Sequence, residues 1–132
     1  RVREAVIHMM CDTSYTLPTV TFVGGATQDL YFYTYFYADK KPMDMTACQC
    51  NFAVVDYINR SGAPVISKTM DVLSGKEGVE NTLSVTLDAK DTVGMRGKYI
   101  YQITIKDPDG DTEIPNQGLM YVTDNINKKF LE

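Results

Sequence analysis

The sequence lacks tryptophan and contains a single histidine, His8. It also lacks a Gly-x-Ser-x-Gly elbow, a phosphate-binding loop and a zinc-binding helix motif. Because His8 lies near the N-terminus among apolar residues, its position favours a place in the core or on a strand face over general-base catalysis. These absences leave no catalytic constellation, and we expect the chain to be no enzyme and to bind no cofactor.

Long apolar runs and an excess of positive charge are absent as well. The longest apolar stretches, such as residues 118–122, fall far below the roughly 18 residues of a membrane helix, so we expect no membrane insertion. The 13 basic and 17 acidic residues give a net charge of −4, which provides no overall positive field, and we expect no nucleic-acid partner. With 132 residues, 44% of them hydrophobic, the chain has the size and composition of one folded domain.

Cysteine is scarce and odd in number, with Cys11, Cys48 and Cys50. At least one thiol is therefore free or pairs between chains, which fits assembly in a reducing compartment. On a strand, Cys48 and Cys50 would share one face about 6 to 7 Å apart, a poor separation for a disulfide, so we interpret them as small buried apolar residues. His8 and Cys11 do not have an established zinc spacing, and we expect no metal site.

The clearest positive signal is a period of two over residues 30–37, the pattern of a β-strand. Leu30, Phe32, Thr34 and Phe36 share one face. The opposite face carries Tyr31, Tyr33, Tyr35 and Tyr37. Similar alternation or turn spacing predicts further strands at residues 5–10, 19–23, 47–58, 65–72, 82–87, 98–106 and 118–123, with a connection at 88–96 that contains a short helical turn. The sequence therefore predicts an all-β, immunoglobulin-like antiparallel sandwich of about seven to nine strands.

The four tyrosines are the main candidate for an interface, because tyrosine combines apolar area with a hydroxyl and is favoured at recognition surfaces. They could contact protein or sugar. Alternatively, the strand is central and buries this face beneath a loop, a terminus or a neighbouring subunit, since a lone domain seldom exposes so large an apolar patch.

Asp107, Asp109 and Asp111 alternate with Pro108 and Gly110. Oxygen ligands at this spacing can begin a calcium loop, but the helix-flanked pattern is missing. Between two predicted strands, the run is more simply a tight hairpin turn. An increase in melting temperature on adding calcium would favour the calcium alternative.

Tyr99 and the preceding Gly97 match the corner before a late strand of immunoglobulin-like domains, where a tyrosine hydroxyl bonds to upstream backbone. We assign both residues a structural role.

Several short segments taken together resemble the immunoglobulin-like N-terminal module of phage baseplate upper proteins and related phage tail proteins. They are Asp29-Leu30-Tyr31-Phe32, Lys41-Pro42-Met43-Asp44-Met45-Thr46, Asn59-Arg60-Ser61-Gly62, Leu83-Ser84-Val85-Thr86-Leu87, Asp91-Thr92, Gly97-Lys98-Tyr99-Ile100-Tyr101-Gln102-Ile103 and Gln117-Gly118-Leu119-Met120-Tyr121-Val122. The resemblance covers about residues 18–123. It implies a non-enzymatic module that assembles with other virion or tail proteins, forms homo-oligomers and resides in the virion after synthesis in the bacterial cytoplasm.

The resemblance leaves the N-terminal segment apart, and we divide the chain into an N-terminal strand or arm at residues 1–17, a sandwich at 18–124 and a C-terminal extension at 125–132. The first residue is not Met, which leaves a removed leader open. A second hypothesis is a carbohydrate-binding or adhesion module of a bacterial surface protein, with tyrosines as stacking platforms. The lack of tryptophan speaks against it.

Overall fold

The computed structural model describes residues 17–35, 41, 43–74, 78–114 and 117–131, together with the backbone of residues 2–8. These segments form an all-β fold with nine strands and very little helix, which confirms the predicted fold class. The strands are β1 Val2–His8, β2 Leu17–Val23, β3 Gln28–Tyr35, β4 Gln49–Asp56, β5 Ile66–Leu73, β6 Thr82–Leu87, β7 Gly97–Lys106, β8 Thr112–Glu113 and β9 Gln117–Thr123. Helix α1 spans Ala89–Thr92 in the predicted connection, and a 3-10 helix spans Lys128–Leu131. Neither helix is long enough to cross a membrane, and the described residues include no other helix that is.

The strands form two sheets that share β5. In the front sheet, the order is β1, β3, β6 and the last three residues of β5. In the back sheet, the order is the first part of β5, β4, β7, β9 and β2, with β8 on the end of β7. The two sheets enclose one core, so the chain folds as a sandwich whose corner is made by a strand that changes sheets.

Two pairings are parallel, which the antiparallel expectation did not include. β1 pairs in parallel with β3, and β2 pairs in parallel with β9. Parallel neighbours need a crossover connection. After β1 the chain crosses to the back sheet, forms β2 there, and returns to the front sheet as β3. Both parallel pairs therefore involve the N-terminal strands, which occupy the outer edges of the two sheets.

Three aromatic side chains form the centre of the core. The ring centroids of Phe52 and Tyr101 lie 5.4 Å apart, and Phe32 approaches Tyr101 at 6.0 Å and Phe52 at 6.5 Å. The hydroxyl of Tyr101 donates a hydrogen bond to the carbonyl of Pro18, and burial raises the pKa of this tyrosine. Because Pro18 belongs to β2, this contact ties the edge strand of the back sheet to its centre.

The predicted strand at residues 47–58 begins too early. Ala47 has a positive φ of 67°, a left-handed backbone that no strand residue adopts. The turn is formed by Asp44, whose Oδ1 accepts hydrogen bonds from the backbone N (2.9 Å) and the hydroxyl (2.5 Å) of Thr46. Strand β4 therefore starts only at Gln49.

Two positions are buried although they lie on outer faces. Thr82, which the alternation of β6 predicts to be wet, is buried. Ile100, on the outer face of β7, is also buried and lines a small groove with Arg60 and Pro64 of the β4–β5 loop. The β4–β5 loop thus borders the outer face of the back sheet at Ile100, an effect that alternation within a strand cannot reveal.

Candidate functional site

The tyrosines of β3 lie on the outer face of the front sheet. Tyr31, Tyr33 and Tyr35 are half-buried and alternate with buried Leu30, Phe32 and Thr34, as predicted. We call these three tyrosines the tyrosine face. Tyr37 and Phe36 lie outside the described residues. A row of half-buried tyrosines places aromatic ring surface and hydroxyl groups on the same outer face.

Small side chains on β6 border the tyrosine face. Tyr31 pairs with Ser84, and Tyr33 pairs with Thr82. On the other side β1 lies in parallel register with β3, from Val2 beside Asp29 to His8 beside Tyr35. The tyrosines therefore stand on an internal strand, with shorter side chains along the β6 side.

A buried polar contact holds the end of the tyrosine face in place. The backbone N and the hydroxyl of Thr34 each donate to the carbonyl of Asn81 at 2.9 Å, and Asn81 Nδ2 donates to the carbonyl of Thr34 at 3.3 Å. Both residues are fully buried. Sequence reasoning missed Asn81, because an Asn just before a strand has the pattern of an exposed turn. The consequence is an ordered strand end at Thr34.

Tyr99 and Gly97 lie where β7 begins. The backbone N of Arg96 donates to the Tyr99 hydroxyl at 3.1 Å, and Gly97 has a φ of 97°. Tyr99 is buried in the core. The contact closes the turn before β7 through a hydroxyl and an upstream backbone group.

The aspartate run forms a turn between β7 and β8. Asp107 Oδ1 accepts hydrogen bonds from the backbone N of Asp109 at 3.0 Å and of Asp111 at 2.9 Å, while Gly110 N donates to the carbonyl of Asp107. The carboxylate of Asp107 is thus used within the turn. In the part of the chain that the structure describes, no three His, Cys, Asp or Glu side chains are grouped so as to hold a metal ion.

Cys48 and Cys50 are both free and line an open groove of about 570 Å³. Cys50 is buried, whereas Cys48 precedes β4 and is half-buried against the core, so full burial of both was not observed. Burial, and then the neighbouring Cys48, raise the pKa of Cys50 to about 11. Burial, followed by the charge of Asp107, also raises the pKa of Cys48. Cys11 lies outside the described residues.

These environments predict unequal thiol reactivity. At pH 8 about 0.1% of a thiol with a pKa of about 11 is thiolate, the reactive form, and burial restricts access further. We expect iodoacetamide to label Cys48 at least about tenfold faster than Cys50 in the folded Cys11→Ser variant. Peptide mass spectrometry over a time course measures both rates, and labelling in urea provides the control. Equal rates in the folded protein would contradict this environment for Cys50.

Sequence reasoning also missed a cluster on the outer face of the back sheet. Lys98 Nζ lies 3.8 Å from the ring centroid of Tyr57 and 5.9 Å from that of Tyr121, and the guanidinium of Arg60 lies 4.4 Å from the Tyr57 ring. We call these four residues the cation patch. They come from β7, β9 and the segment after β4, so only the pairing of strands brings them together.

The two sheets packed around one core form an immunoglobulin-like β-sandwich. Among solved structures, the chain is similar to the N-terminal domain of phage TP901-1 ORF48, with a TM-score of 0.60 and 9% identity over 93% of this chain and 99% of that one. Auracyanin A, a blue copper protein from Chloroflexus aurantiacus, matches with a TM-score of 0.47 and 12% identity over 93% of this chain and 100% of that one. No protein-family model and no curated protein sequence matches. The phage domain shares the fold of this chain.

Proposed function

We propose that this protein is a non-enzymatic structural module of a phage tail or baseplate that makes protein contacts. The observation that carries the proposal is the similarity of fold to the phage domain over nearly the whole of both chains. The motif resemblance over residues 18–123 points to the same class. On this proposal the chain is made in the bacterial cytoplasm, resides in the virion and contacts other tail proteins and further copies of itself.

The tyrosine face is the surface we assign to a tail partner. Its side chains combine aromatic area with hydroxyl groups, the composition favoured at the centre of protein interfaces. The hydrogen bonds between Thr34 and Asn81 fix the end of the strand that presents them. A rigid aromatic surface loses little conformational freedom on binding.

The direct test asks whether the protein is part of the particle. Antibodies raised against the purified chain should label the tail of phage particles from the producing strain in electron micrographs, and its peptides should occur in purified particles. Particles that carry neither label nor peptides would exclude a virion component.

Removal of the tyrosine face should weaken assembly. We expect the Tyr33→Ser/Tyr35→Ser variant to lose incorporation into particles by about tenfold or more, because interface aromatics dominate binding energy. Its free energy of unfolding should fall by only about 1 to 2 kcal/mol, since both side chains are half-buried. Incorporation is measured by quantitative mass spectrometry of purified particles.

The matched control is Val65→Ser, which removes an exposed apolar side chain from the β4–β5 loop. Its incorporation should equal that of the unmodified chain. Equal incorporation of the double tyrosine variant would rule out the tyrosine face as the contact.

The second candidate function is carbohydrate binding or adhesion at a bacterial surface. It is favoured by the three tyrosines on one strand face, whose successive rings stand about 7 Å apart along the strand. A glycan array combined with tyrosine fluorescence tests it. Absence of array hits and of any fluorescence change on adding sugars would remove this candidate.

A further inference from the structure

The cation patch holds two positive charges at defined positions on the back sheet. Lys98 lies over the Tyr57 ring and also near that of Tyr121, and Arg60 lies over Tyr57 while its Nε donates to the carbonyl of Tyr57 at 2.9 Å. Cation–π contacts of this kind hold a charge without neutralising it. The patch is therefore an ordered, positively charged and aromatic surface.

Two aspartates near the patch in sequence, one directly before Tyr57 and one three residues after Tyr121, make contacts of their own. Asp56 Oδ1 accepts hydrogen bonds from the backbone N of Ile58 at 2.8 Å and of Asn59 at 3.4 Å. Asp124 Oδ1 pairs with Lys128 at 3.0 Å. The salt bridges among the described residues involve neither Lys98 nor Arg60. Tyr121 and Arg60 are both exposed.

The opposite end of the same sheet is acidic. Asp44, Asp107, Asp111 and Glu113 line one cavity of about 270 Å³, and Asp109 lies exposed at the tip of the adjoining turn. We call Asp44, Asp109, Asp111 and Glu113, all of them exposed, the acidic end. Strand β7 separates the two sites, since it begins next to Lys98 and ends at Lys106, next to the acidic turn. Eight residues of extended strand span about 26 Å, so the acidic end of one chain cannot reach its own cation patch.

We propose that the cation patch of one copy binds the acidic end of a second copy. Opposite charges at the two ends of one sheet are complementary between molecules, and complementarity of this kind orients partners and excludes wrong ones. Tyrosine and arginine are also the residue types that carry most binding energy in protein interfaces. The inference rests on the proposed function as an assembly module, but it assigns self-association to a different sheet from the tyrosine face.

Sedimentation velocity of the full chain over a concentration series tests self-association. In about 0.1 M salt the Debye length is about 10 Å, and in about 1 M salt it is about 3 Å, so we expect concentration-dependent oligomers that weaken at high salt. Lys98→Glu should weaken association by about tenfold or more. The control Lys106→Glu changes the net charge equally on the same face of β7, but at the acidic end, and should leave association equal or stronger.

Charge reversal at the acidic end completes the test. Asp109→Lys/Asp111→Lys should also weaken association by about tenfold, and its turn should persist because Asp107 supplies the side-chain acceptor. Combining Lys98→Glu with both aspartate changes should restore oligomers. Restoration also shows that the variants fold, and circular dichroism melting checks each one separately.

A chain that stays monomeric at every concentration would overturn the inference, as would variants that associate like the unmodified chain or a combined variant that is not restored. Its failure is distinguishable from failure of the proposed function. If the tail is labelled but Lys98→Glu associates like the unmodified chain, only the inference is contradicted. If the combined variant restores self-association but no tail is labelled, only the phage assignment is contradicted.

Discussion

Phe52→Ala is expected to lower the free energy of unfolding by about 4 kcal/mol, the largest effect of any change considered for this chain. Phe52 is fully buried and its ring stacks on Tyr101 while also contacting Phe32. Truncation removes the apolar transfer energy of the ring and leaves a cavity between the two sheets, which the surrounding strands can only partly fill. The aromatic cluster joins Phe32 of the front sheet to Phe52 and Tyr101 of the back sheet, so both sheets are affected.

Urea denaturation followed by circular dichroism measures this loss, and an unchanged slope against urea would show that the denatured state is the same. The melting temperature should fall by about 15 °C, at roughly 4 °C per kcal/mol for a domain of this size. Phe130→Ala is the matched control, because Phe130 is 82% exposed and its removal should change stability by less than about 0.5 kcal/mol. Similar losses in both variants would contradict the central place of Phe52.

Gly118→Ala is expected to cost about 3 kcal/mol, although it adds a single methyl group. A Cβ at position 118 would stand 2.5 Å from two ring carbons of Tyr101 and 2.7 Å from its hydroxyl oxygen. The tyrosine cannot move aside easily, because its ring is fully buried between Phe32 and Phe52 and its hydroxyl is bonded to Pro18. The strain must therefore be relieved by displacing β9 or by breaking the hydrogen bond to β2.

Gly94→Ala provides the comparison, since an added Cβ there meets no atom within 4 Å. It should change stability by less than about 0.5 kcal/mol, or stabilise slightly by restricting the unfolded chain. Thermal melts of the two variants under identical conditions compare their stabilities. A Gly118→Ala protein as stable as Gly94→Ala would mean that Tyr101 is not confined as the structure describes.

Strand positions and inward faces could be predicted from the sequence. Residues 82–87 coincide with β6, and the inward series Tyr99, Tyr101, Ile103 and Ile105 is buried. Helix α1 lies inside the connection that the sequence marked as a short helical turn. These predictions succeed because alternation of side chains and turn residues is a local property of consecutive positions.

The candidate site could be predicted only in part. The tyrosine face follows from alternation along one strand, but its ordering by Asn81 depends on a contact across 47 residues of sequence. The burial of Ile100 was missed for a similar reason, because the β4–β5 loop beside it leaves no mark on the sequence of the strand. The burial of Thr82 was missed as well. The left-handed Ala47 was missed because alanine has no preference for that conformation.

The sequence by itself determined the all-β class, a strand number of seven to nine against the nine observed, and the inward residues of β3, β6 and β7. Each of these depends on neighbours a few positions apart. Only the tertiary structure decided the parallel edges, the change of sheet within β5 and the cation patch. Their physical cause is strand pairing, which places Lys98 beside Tyr121 and near Tyr57 by hydrogen bonds between distant segments. The tyrosine face was visible in the sequence, whereas the surface proposed for self-association arises only when β7 meets its neighbours.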